Sequence, residues 1–153
     1  MTLTVPSIDN LILNITEQIV VRASLEDTFQ ALLAEMGPNN VAPDGTPLPM
    51  AIEAWPGGRW FRDLGSGDGH LWGLVQAIKR PTLLEITGPL FMSAPIVNNV
   101  QYRLKDVAGG TSMSFRHSGF GIVPDMHGMP FDEGWKALHQ RIRLRAESGG
   151  RAH

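Results

Sequence analysis

The sequence predicts an α+β domain: a curved antiparallel sheet of about seven strands wrapped around a long C-terminal helix, in the order β-α-β(6)-α. Three observations carry this. Residues 11–22 alternate apolar and polar side chains. Between Met50 and Phe120, short runs rich in β-branched and aromatic residues are cut at regular intervals by Gly and Pro, the mark of an antiparallel meander. Residues 131–147 (FDEGWKALHQRIRLRAE) then carry apolar side chains at helical spacing, with no proline among them.

The elements follow in order. In the first strand Leu11, Leu13, Ile15, Ile19 and Val21 share one face and Asn14, Thr16, Gln18 and Arg22 the other, with Glu17 breaking the apolar side. Ser24 is an N-cap candidate, with Glu26 and Asp27 in the first turn. Phe29, Leu32, Leu33 and Met36 form one helical face, and Gly37-Pro38 ends the helix. Residues 37–49 hold four prolines and read as a loop. Strand-like runs follow at MAIEAW, RWFRDL, HLWGLVQAIK, TLLEIT, IVNNVQYRLK and TSMSFRHS, with GSGDG as a hairpin turn. Ile96, Asn98, Val100, Tyr102 and Leu104 share a face, as do Thr111, Met113, Phe115 and His117. The last helix presents Phe131, Trp135, Leu138, Ile142 and Ala146 on one side.

Composition narrows the function classes. The 153 residues, 42% hydrophobic and 18% charged, suit one domain with its own core, structured over about residues 11–147. No run reaches the roughly 20 apolar residues of a membrane span, and no basic residue precedes an apolar run at the start, so no secretory signal is expected. The absence of cysteine removes disulfides and thiolate chemistry and fits a cytoplasmic setting. A net charge of -2 gives no field for nucleic acid. Lys136, Arg141, Arg143, Arg145 and Arg151 form the one local bias. They read either as complements to the negative end of the helix or as an anion-binding patch.

Several short motifs fall in a set order: the first strand with Ala23-Ser24-Leu25-Glu26, Pro56-Gly57-Gly58-Arg59-Trp60, Gly69 with Gly73 in GHLWG, Pro81-Thr82-Leu83-Leu84-Glu85, Gly110-Thr111 before MSFRHSGFG, and Gly134-Trp135. In this order they resemble the START/Bet v 1-like (SRPBCC) superfamily and, within it, bacterial proteins related to the C-terminal domain of the activator of the Hsp90 ATPase. The resemblance spans residues 11–147. It implies a helix-grip fold enclosing an apolar ligand cavity between sheet and C-terminal helix, in a superfamily of binding proteins, cyclases, hydrolases and dehydratases. It departs from the pattern at residues 37–49, where a Trp-containing stretch is usual, and lacks the eukaryotic co-chaperone's separate N-terminal domain.

In such a cavity Trp60, Trp72, Phe91, Tyr102, Phe115, Met129, Trp135 and Leu138 are the candidate ligand-binding residues, with Trp55 and Met92 also in the aromatic and thioether inventory. Taken singly, each reads first as core. His117 shares the inward face of Phe115, where it orients a ligand, acts as a base, or is a hydrogen-bonded core histidine. Glu17 reads as an inward carboxylate or one turned out by a bulge; the facing of Glu85 is open. The histidines lack metal-site spacing, Asp125-Met126-His127 being the nearest grouping, so neither metal nor cofactor is expected. Residues 119–130 read as an entrance or lid.

Three functions remain. One is binding of a small, largely apolar molecule between sheet and helix, without catalysis. Another is an interaction module for an Hsp90-type chaperone, with a homodimer left open. The third is an enzyme using His117 with Glu17 or Glu85 for hydrolysis or proton transfer.

Overall fold

The computed structural model describes residues 7–124 and 131–149. Met129, His127, Asp125 and Arg151, and the second half of the expected lid (125–130), lie outside the described residues.

A single 3-10 turn, Ile8–Leu11, leads into β1 (Ile12–Val21). Helix α1 (Leu25–Met36) follows at once, its first turn closed where Ser24 Oγ accepts from Asp27 N–H at 3.1 Å. Six more strands then form: β2 (Ala51–Ile52), β3 (Arg59–Gly65), β4 (Asp68–Lys79), β5 (Leu83–Gly88), β6 (Ile96–Val107) and β7 (Gly110–Gly121). Helix α2 (Phe131–Glu147) ends the described chain. All seven strands lie in one antiparallel sheet, ordered β1-β7-β6-β5-β4-β3-β2. The expected α+β fold and helix-grip arrangement are therefore present.

Details differ from expectation in three places. The run beginning at Met50 yields only a two-residue β2, because Glu53 turns aside to hold Arg59 through both carboxylate oxygens, each at 2.8 Å. The loop 37–49 is tied back on itself: Leu48 N–H donates to Asn40 O, Met50 N–H to Gly37 O, and Val41 bridges Pro47. The basic residues of α2 are not left to the helix dipole alone. Arg141 Nε and Arg145 Nε reach the two oxygens of the buried Glu35 on α1, at 3.0 and 2.6 Å, and so fasten the helices together.

The core lies between the inner sheet face and both helices. Alternation places Val21, Leu84, Ile86, Val100, Tyr102, Met113 and Phe115 there, against Phe29, Leu32 and Met36 of α1 and Trp135, Leu138 and Ile142 of α2. Register then sets the neighbours. One inner row runs Glu17, Phe115, Tyr102, Leu84 across four strands; the next runs Ile15, His117, Val100, Ile86; a third runs Leu13, Gly119, Asn98, Gly88. Polar side chains at Glu17, His117 and Asn98 thus share one corner of a largely apolar face.

Candidate functional site

That corner lies under the N-terminal half of α2. His139 follows Trp135 by one helical turn and precedes Ile142 by three residues, so it projects from the buried face of the helix. Its imidazole sits edge-on to the Phe115 ring, centroids 4.6 Å apart, and spans the two residues flanking Phe115 in the first row. His139 Nδ1 lies 2.5 Å from Glu17 Oε1, and Nε2 lies 2.9 Å from Tyr102 Oη. The hydroxyl has a proton to give, so Tyr102 donates to Nε2, and Nδ1–H donates to the carboxylate. Burial holds His139 below the usual imidazole range, partly offset by its bond to Glu17 and that carboxylate's charge. Burial, reinforced by the Glu17 charge, raises Tyr102 well above the usual phenol value. The trio is Tyr–OH, neutral imidazole, carboxylate.

A second buried chain runs beside it. Trp135 Nε1–H, which can only donate, points at His117 Nδ1 at 3.1 Å. Nδ1 is therefore the acceptor, and Nε2–H donates to Asn98 Oδ1 at 2.7 Å. Asn98 Nδ2 passes on to the backbone oxygen of Gly88 at 3.1 Å. Gly119 makes this possible: a Cβ there would lie 2.7 Å from Asn98 Oδ1. With both nitrogens used, buried His117 is held neutral, its pKa lowered by desolvation to about 4.

The expected pairing of His117 with Glu17 or Glu85 is not built. Of the two readings of Glu17 the inward one holds, without a bulge in β1, but its partner is His139. Glu85 lies on the outer face, where its Oε2 accepts from Gln101 Nε2 at 2.6 Å. His139 carried no motif. The signal that finds it is its place on the Trp135–Ile142 face.

Among the described residues, many of those expected at the site are buried between sheet and helix. Tyr102, Phe115, His117, Trp135, Leu138, His139 and Ile142 are all buried there, with Phe115 and Trp135 ring centroids 4.8 Å apart. Trp60 is buried too, its indole N–H donating to the Met36 carbonyl at the end of α1 at 2.8 Å. Trp72 bridges it to Phe91, with ring centroids 5.1 and 5.9 Å away, and Phe91 meets Phe131. Met92 is buried, whereas Trp55 is exposed.

Open space lies at the margin of this packing. A groove of about 500 Å³ runs between β1 and the first turns of α2. Leu13, Ile15, Phe131 and Trp135 give it apolar walls; Asn14, Thr16, Glu17, Asp132 and Lys136 add polar groups. Five consecutive β1 residues line it because, among the described residues, β1 is a terminal strand whose second edge no strand covers. Of the expected ligand-binding residues within the described chain, Trp135 is the one that lines this groove. Glu17 joins groove to core: its side chain is 20% exposed while its partner His139 is 1% exposed. A hollow of about 470 Å³ on the outer sheet face has Ile12, Val97 and Phe120 in its lining. Among the described residues no group of three or more His, Cys, Asp or Glu side chains could hold a metal ion, and no helix is long and apolar enough to cross a membrane.

Residues 22–147 match the family described as activator of Hsp90 ATPase homolog 1-like protein. No curated protein matches the chain. Among solved structures, an uncharacterised protein from Rhizobium leguminosarum is similar at a TM-score of 0.66 and 14% identity, covering 90% of this chain and 95% of that one. The di-domain ARO/CYC StfQ of the steffimycin biosynthetic pathway gives 0.60 and 12%, covering 94% of this chain and 52% of its own. The Aha1 dimer from Colwellia psychrerythraea gives 0.55 and 17%, covering 90% and 98%. At these identities the likeness is one of fold.

Proposed function

The chain belongs to the activator of Hsp90 ATPase homolog 1-like family, and from that premise we propose that it binds a small, largely apolar molecule in the groove between β1 and α2. The observation carrying this is the groove itself: about 500 Å³, within the roughly 300–1,000 Å³ usual for small-molecule sites, with aromatic and aliphatic walls beside five polar or charged side chains. This reading sets the site at the margin of the sheet–helix interior that the sequence suggested, beside rings that are buried there. Trp135 belongs to both. The proposal keeps the cytoplasmic setting expected from a cysteine-free composition.

Native mass spectrometry of freshly purified protein, joined to titration with an apolar probe followed by tryptophan emission, tests the reading. A co-purifying small molecule, or saturable quenching abolished by Leu13→Trp, is expected. No bound molecule together with no saturable response refutes it.

A second reading, contact with an Hsp90-type chaperone, rests on the family description. Failure to alter the ATPase rate of the host chaperone removes it.

A further inference from the structure

Resting on the groove as a ligand site, we infer that it selects a monocationic amphiphile: a protonated amine on an apolar chain or ring, whose ammonium meets the Glu17 carboxylate. Glu17 Oε1 is engaged by His139 Nδ1, whereas among the described residues Oε2 has no hydrogen-bond partner, and the side chain is 20% exposed at the groove. The engaged partner does not cancel the charge. Tyr102 donates to His139 Nε2, which leaves the ring one proton, on Nδ1, and burial keeps the imidazole neutral. The trio therefore carries the full negative charge of its carboxylate.

Nothing else described at the groove neutralises it. Lys136 Nζ pairs with Asp132 Oδ2 at 4.0 Å, one turn back on α2, and makes no ion pair with Glu17. The positive N-terminal end of α2, which would favour an anion, already has Asp132 and Glu133 in its first turn. Leu13 and Ile15 supply aliphatic contact. Trp135 and Phe131 supply aromatic surface that also attracts cations. A carboxylate ligand would meet Glu17 as a like charge, and a neutral one would leave Oε2 with water.

The test is calorimetric titration of the full chain with decylamine, decanol and decanoate, below their micellar range and at neutral pH. Expected is amine over alcohol by about tenfold, carboxylate weakest, and an amine preference that shrinks with added salt. In Glu17→Gln the amine-to-alcohol ratio falls to near one. Because that variant also disturbs His139, its binding of decanol serves as the internal reference for its binding of the amine. Equal binding of amine and alcohol, tighter binding of decanoate, or a preference surviving in Glu17→Gln overturns the inference while leaving the groove as a site. Failure of all three probes to bind removes the groove itself, and the inference with it.

Discussion

Replacing His117 by Leu has a cost that depends on pH in a way the structure fixes. At neutral pH the substitution strands two buried groups, the Trp135 indole N–H and the Asn98 carbonyl. At about 1–2 kcal/mol each, the loss is about 3 kcal/mol. Acid changes the wild-type protein but not this site in the variant. The unfolded chain takes a proton on His117 below its ordinary value of 6.5, whereas the folded protein resists until about 4. Wild-type stability from this residue is therefore full above 6.5, falls as pH is lowered through that window, and levels off below it. At about 1.4 kcal/mol per pH unit the window amounts to about 3 kcal/mol, close to the neutral-pH penalty. Urea unfolding followed by tryptophan emission between neutral pH and pH 4 should show a mutational cost near 3 kcal/mol shrinking towards zero. His139 titrates in both proteins and cancels. A cost that stays constant across the range refutes the assignment of His117 as a neutral, doubly bonded core residue.

Three further outcomes follow from the same geometry. Tyr102→Phe leaves His139 Nε2 without its donor and should destabilise the fold by about 1–3 kcal/mol, read by chemical denaturation. Gly119→Ala places a Cβ against Asn98 Oδ1; the displaced amide releases His117 Nε2, and the imidazole NMR signals and Trp135 indole resonance should shift together. Glu35→Ala leaves Arg141 and Arg145 without the carboxylate that bridges them; because both guanidiniums are partly exposed, the loss should be about 2 kcal/mol, measured by thermal melt, and smaller in high salt.

The fold was largely legible because its local signals agree. Period-two runs, Gly and Pro turns, a capped first helix and one long amphipathic helix all indicate the same architecture. The inward faces of β6 and β7 were read correctly for the same reason: apolar alternation admits one register of burial. The trio was not legible. Glu17 and His139 stand 122 positions apart, and their meeting depends on β1 lying at the sheet edge beneath α2, which no local pattern encodes. His117 drew attention as the polar residue on an apolar strand. Its saturation by Trp135 and Asn98 depends on Gly119 lacking a side chain, a matter of volume rather than motif. The groove along β1 was not legible either, because aromatic content alone does not distinguish rings that line space from rings buried in packing.

The strand order also bears on how the protein is made. The first strand pairs with the last, Ile12 opposite Phe120, so β1 waits for almost the whole chain before finding its partner. Such long-range closure slows folding, and during synthesis the early-emerging β1 keeps its apolar face unpaired until β7 leaves the ribosome. Glu17 waits longer still, for residue 139. The groove is therefore the last feature assembled, and a chain truncated before α2 would keep much of its sheet sequence yet lack the groove.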